Sequence, residues 1–363
     1  MKPEKLRGRD LGLPFPGRPG TDNAITDVAG VEVGTVTLIV GDGPLIVGKG
    51  PVRTGVTAIH PRGRALAHVP CAAGYHTLNG NGEMTGTAWI EEAGELQSPI
   101  TITNTHSCGV ARDATIRWLV SRGIGTGQDW GLPVAAKTYD GDLNDINGFH
   151  VTAEHTLEAL DTARGGPVEM GSVGGGTGMI SFDFKAGNGS ASRLVEIGGE
   201  RYMLGVFVQS NFGRREDFTV LGVPVGRHIG HDKLRGKDKG SVIAIVATDA
   251  PLMAHQLKRI ARRVALGLAR TGAIGNNSSG DIFLAFSTAN AQAFASQGGG
   301  VVSLQALPNG SLDPLFMATV EATEEAVIDS MIGNDTMVGR DGNRAIALPH
   351  GMLLEVMRQY GRV

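Results

Sequence analysis

The sequence predicts an α/β fold, and two neighbouring stretches carry that prediction. Ser241 opens a β-branched apolar run, Val242 to Val246, bounded by a charged, glycine-containing loop before it and by Thr248-Asp-Ala-Pro251 after it. Such a run reads as a buried strand. Directly behind it, Leu257, Ile260, Ala261, Val264 and Leu268 recur at helical spacing over Ala254 to Ala269, with Lys258, Arg259, Arg262 and Arg263 on the opposite side. A chain of 363 residues, 41% of them hydrophobic, can bury a substantial core as a single domain.

The remaining elements follow from the amino terminus. Thr35–Val40 and Pro44–Val47 read as strands of a hairpin turning at Gly41-Asp-Gly43. Val110–Val120 and Phe149–Ala163 read as helices, and Val206–Gln209 as a short strand that delivers Asn211 just beyond its end. Ile282–Phe286 is a strand beginning right after Asp281, and Asp313-Pro314 caps and opens a helix running toward Met331. The 55 glycines are about twice the average usage of roughly 7%, and no periodic repeat is visible; they read as tight turns and close backbone approaches in a compact fold.

Composition excludes several classes. A net charge of -3 offers no footprint for a polyanion. The basic residues between Arg227 and Lys239 are interleaved with acids and lack aromatic residues, so nucleic acid is not an expected partner. No stretch approaches 18 apolar residues and no secretory leader is visible, which leads to the expectation of a cytoplasmic protein without membrane contact. Two cysteines, Cys71 and Cys108, make neither a disulfide scaffold nor a zinc site, and Cys108 is expected to be a packed thiol before a helix.

The chemistry is suggested at Gly240-Ser241. Cutting that bond would leave Ser241 as the first residue of a core strand, with its α-amine beside its own hydroxyl. A serine needs a base to be nucleophilic, and an α-amine with a pKa of about 7.7–8.0 can serve. Glycine before the cut tolerates strained backbone and lets the hydroxyl reach the carbonyl. The stretch Arg235 to Gly240, charged and glycine-containing, is expected not to pack.

Long strings elsewhere support this reading: Arg9-Asp-Leu-Gly-Leu-Pro-Phe-Pro-Gly17, Asn23 to Gly34, Gly50 to Ala58, Leu78-Asn-Gly-Asn-Gly-Glu-Met-Thr-Gly86, Thr138 to His150, Ala247 to Leu252 and Ser279 to Asn290. Through them the chain resembles, nearly end to end, the L-aminopeptidase/D-alanine esterase-amidase family and its β-aminopeptidase relatives. The resemblance implies a layered αββα sandwich and self-cleavage into residues 1–240 and 241–363. It also implies an assembly of four αβ units, with small peptides or amino-acid amides as substrates. It gives Ser241 the role of nucleophile, Ser279 and Asp281 the support of its new α-amine, and Asn211 and Tyr139 the stabilisation of the oxyanion. Each role has chemical sense: an amide NH2 and a phenol OH both donate, and a carboxylate favours a protonated amine. No metal or cofactor is expected.

One position departs from the family pattern. Where a glutamate two residues before the tyrosine would hold the substrate's ammonium, this chain has Lys137. Either Lys137 enters the substrate pocket and repels an ammonium, or it turns to solvent and Asp140 or Asp142 receives the amine. Lys137 also leaves open an acyl-transferring or amide-forming enzyme on the scaffold shared with ornithine acetyltransferases. A non-catalytic binding protein is opposed by the joint presence of the five site residues.

Other motifs fail. Gly43 to Lys49 starts like a phosphate loop but has Gly50 where Ser or Thr should follow. His150 with Glu154-His155 is one residue too long for an inverted zinc-peptidase motif, and Gly174 to Gly178 lacks dinucleotide spacing.

Overall fold

The computed structural model describes residues 5–124, 130–235, 240–296 and 300–363. Its two main sheets are built from β1 (Glu32–Val40), β2 (Val52–His60), β3 (Cys71–Thr77), β4 (Glu95–Leu96), β5 (Ile100–Asn104), β6 (Val134–Thr138), β7 (Asn188–Ile197), β8 (Glu200–Asn211), β9 (Ser241–Thr248) and β10 (Ile282–Ser287). One sheet has the order β1-β2-β5-β6, the other β4-β3-β10-β9-β8-β7. The helices that cover the two sheets are α1 (Cys108–Ser121), α2 (Ala153–Asp161), α3 (Ala254–Arg270) and α4 (Asp313–Ile332).

Side-chain alternation sorts these elements into four layers. In β9, Ile243, Ile245 and Ala247 face the other sheet and meet Ile59, Ile100, Ile102 and Ala136. Val242, Ala244 and Val246 face the opposite way, into a core shared with Leu257, Ile260 and Val264 of α3 and Ala326 and Val327 of α4. Being covered on both faces, β9 can be apolar throughout, as its sequence is. On the far side, Val36, Val56 and Ala58 pack under Trp118 and Leu119 of α1 and Ala159 and Leu160 of α2. The fold is therefore the αββα sandwich that the resemblance implied.

Several expectations change. There is no hairpin at Gly41-Asp-Gly43: β1 pairs antiparallel with β2, Glu32 opposite His60 through Val40 opposite Val52, and 44–47 lies in the connection. The β-branched residues there lack a partner strand. The strand before the site is twelve residues long and Asn211 is its last residue, not one beyond it. The strand looked shorter because it opens with the charged pair Glu200-Arg201 and only its first four residues are exposed or half-buried. Leu312, not Asp313, is the residue before α4, which starts at Asp313-Pro314. Arg235 does pack, its side chain only 3% exposed, because its guanidinium finds oxygen acceptors inside the protein; residues 236–239 lie outside the described residues. Cys108 is buried against Ala135, and burial pushes its thiol up to about 12, so it is a packed thiol as expected.

The amino-terminal string earns its place through charge. Arg9 Nε lies 2.8 Å from Glu325 Oε1, Arg193 Nη2 2.7 Å from Glu325 Oε2, and Arg7 Nε 2.9 Å from Asp329 Oδ2. Asn23 Nδ2 and the Gly8 amide donate to the same two carboxylates. Gly17 has a φ of +77°, and a Cβ there would meet Arg193 Cδ at 2.5 Å. Among the described residues no helix is long and apolar enough to cross a membrane.

Candidate active site

Ser241 begins β9, is 2% exposed, and pairs across the antiparallel ladder with Asn211 at the end of β8. Alternation puts its side chain on the same side as Ile243, toward the four-stranded sheet. On the other flank, β10 runs parallel to β9 with Ile282 opposite Ile243. The residues just before β10 therefore lie beside the start of β9. There Asp281 Oδ1 accepts from Ser279 Oγ at 2.6 Å and from the Val242 amide at 3.1 Å. Ser279 and Asp281 are both buried.

Glycines make these approaches possible for a reason more specific than backbone strain. A Cβ on Gly240 would sit 1.7 Å from the Asn211 carbonyl oxygen, and one on Gly280 would sit 2.3 Å from that of Asn81. No side chain fits either place. The second contact explains the Leu78–Gly86 string, whose role the sequence alone did not reveal. Asn79 Nδ2 donates to Asn276 O at 2.8 Å, Asn81 Nδ2 to Ser278 O at 2.7 Å, and the Leu78 amide to Asp281 O at 2.9 Å. That string cradles the loop carrying Ser279 and Asp281.

Tyr139 follows β6 directly. Gln209, one turn of the pleat before Asn211, reaches across the sandwich to Thr138 Oγ at 2.7 Å and Thr103 O at 3.0 Å, fixing the two sheets against each other at this end. Asn211 Nδ2 donates to the Tyr139 carbonyl at 2.8 Å. Burial and the Asp142 charge push the Tyr139 phenol above its ordinary value, so it keeps its proton and remains a donor at neutral pH. A cavity of about 280 Å³ lies on the helix side of the same strand ends, lined by Ser279, Asp281, Val242, Phe212, Leu268 and Ile274.

Lys137 is not a solvated surface residue. It is 9% exposed, its Nζ donates to Asn81 O at 3.1 Å, and burial lowers its pKa against the pull of Glu83 and Cys108. Neither aspartate suggested as its substitute presents a carboxylate to a ligand. Asp140 is wholly buried, accepts from Asn144 Nδ2 at 3.1 Å, and is pushed by that burial to about 7. Asp142 is held by Arg235 Nε at 2.5 Å. Arg235 itself had no assigned role in the sequence, hidden in a loop that looked merely polar.

A serine at the head of a core strand, with a hydroxyl and a carboxylate just ahead of the next parallel strand, is the arrangement an N-terminal-nucleophile hydrolase requires. The four-layer fold belongs to that class. Residues 23–345 match peptidase family S58, and the chain belongs to it. It is 51% identical to a beta-peptidyl aminopeptidase, BapA, of Sphingosinicella microcystinivorans, over 99% of this chain and 94% of that one. The solved L-aminopeptidase D-Ala-esterase/amidase of Ochrobactrum anthropi, described as a variant of the Ntn hydrolase fold, superposes with a TM-score of 0.94 at 48% identity over 99% of both chains. A Burkholderia beta-aminopeptidase gives 0.89 at 44%, over 98% of this chain and 99% of that one. The chain is a hydrolase of the aminopeptidase/amidase type, acting on peptide-like substrates.

Proposed function

We propose that the chain cuts itself between Gly240 and Ser241, giving 1–240 and 241–363, and that the freed Ser241 then hydrolyses amides or esters of small amino-terminal residues. The α-amine takes the hydroxyl proton as Oγ attacks the carbonyl carbon, and Asn211 Nδ2 and the Tyr139 hydroxyl receive the oxyanion. Collapse expels the amine, which takes the proton back, and leaves an acyl-enzyme. Water then adds by the same route and releases the acid. Asp281 favours the ammonium form of the α-amine at the moment it holds the proton, and Ser279 steadies Asp281. The observation that carries this reading is the pairing of Ser241 with Asn211, which sets nucleophile and donor across one ladder position. Denaturing electrophoresis with amino-terminal sequencing tests it. Two chains are expected, the smaller beginning Ser-Val-Ile, and an active preparation containing only full-length chain would refute the cut.

Lys137 favours a second reading of specificity. A buried cation beside the loop that carries Ser279 disfavours a free ammonium and suits substrates whose amine is blocked, or an acyl acceptor other than water. A cytoplasmic location and an assembly of four αβ units complete the proposal; light scattering on the cleaved protein would test the latter.

A further inference from the structure

Asn211 can work as a donor only if its amide points the right way, and the structure shows what decides that. Oδ1 accepts from the Ile180 amide at 2.9 Å and from Arg235 Nη2 at 3.0 Å, while Nδ2 donates to the Tyr139 carbonyl. A flipped amide would set its NH2 against two donors and its oxygen against a carbonyl. With the oxygen so fixed, Nδ2 spends one hydrogen on Tyr139 and keeps the second. Arg235 is in turn held rigidly: Nε on Asp142 Oδ2 at 2.5 Å, Nη1 on Ile180 O at 2.9 Å, and its own amide on Asp183 Oδ1 at 2.8 Å. A guanidinium fork serves Asp142, Ile180 and Asn211 at once, which a lysine cannot do.

We infer that Arg235 is a positioning residue for the reaction, locking the side-chain amide of Asn211 so that its NH2 faces the acyl oxygen. This rests on the proposed role of Asn211. It also gives the segment just ahead of the cut a continuing use: Arg235 stays anchored in the first fragment after Ser241 is released.

A double-mutant cycle on the full chain tests this, with kcat expressed per cleaved chain as measured by electrophoresis. Asn211→Ala is expected to lower kcat by roughly 10²–10³-fold. Arg235→Ala should lower it about tenfold or more with KM within about twofold, and Arg235→Lys should fall between that variant and the parent. In the Asn211→Ala background, adding Arg235→Ala should change kcat less than about twofold, because the amide it orients is gone. If an Arg235 variant is not cleaved, the same cycle is run with Asp142→Asn, which loosens the guanidinium from a position remote in sequence from the cut. An equal loss with and without Asn211, or no loss at all, overturns the inference while leaving the role of Asn211 intact. Full turnover in Asn211→Ala alone overturns that role first, and the inference with it.

Discussion

Two regions join the residues before Gly240 to those after it, and they are built in opposite ways. At the amino-terminal segment, Arg7, Arg9 and Arg193 meet Glu325 and Asp329 in a buried cluster where each carboxylate has several donors. Burial raises Glu325, but the Arg9 hydrogen bond and the Arg193 and Arg9 charges outweigh it and hold this carboxyl below its usual range. At the start of β9, by contrast, a hydroxyl and a backbone amide donate to the single carboxylate of Asp281, and a cavity opens on the helix side of the same strand ends. Saturated charge fixes a shape. A neutral hydroxyl can change partners during a reaction.

The contrast predicts a clean division of effects. Ser241→Ala should abolish self-cleavage and lower turnover by about four orders of magnitude or more, with an unchanged circular dichroism spectrum and melting temperature. Normal cleavage in that variant would move the nucleophile elsewhere. Glu325→Ala should do the reverse. It removes the carboxylate that Arg9 and Arg193 share and is expected to cost about 3 kcal/mol in denaturant titration, with kcat per folded, cleaved chain within about twofold of the parent. A large fall in kcat at full folding would mean that the cluster reaches the site.

Asp140 could blur the division, since it is a buried acid beside Tyr139. Its folded pKa, about 7, lies above the ordinary 3.8. Its contribution is therefore fully present below pH 3.8 and lost as pH rises from there through about 7. Asp140→Asn keeps an acceptor for Asn144 without the charge, so melting of the variant at pH 8 should exceed that of the parent by several °C, and by less at pH 5. Equal gains at both values would remove Asp140 ionisation as the cause.

The smallest expected effect sharpens the comparison most. Lys137 is a buried cation of the site region whose Nζ rests on a carbonyl instead of a carboxylate. Lys137→Glu should shift kcat/KM toward substrates with a free amine over amine-blocked ones by about tenfold, equivalent to about 1.4 kcal/mol. An unchanged ratio would place amine recognition elsewhere.

Much of this was legible because the strings are local and the chemistry is strict. The run after Ser241 is apolar on both faces because β9 is covered on both faces, and the periodicity of α3 appears directly in its sequence. The missing parts depend on distant partners. Nothing near Pro44 says that β1 will pair with β2 instead of turning back, and nothing in the 235–239 stretch says that Arg235 will find Asp142 and Asn211, which are far away in sequence. Gly240 was recognised, but its cause, the carbonyl pressed against it, belongs to another strand.

The order of the six-stranded sheet has a kinetic consequence for a chain cut, as proposed, between Gly240 and Ser241. The two strands that follow Gly240, β9 and β10, sit in the middle, with β8 zipped along one side and β3 along the other. Breaking that one peptide bond would remove a chain connection and no ladder, so the two fragments would stay interlocked and separate only by unfolding together. Isotopically labelled and unlabelled cleaved protein, mixed and incubated under native conditions, should keep their original fragment pairings for as long as the fold survives.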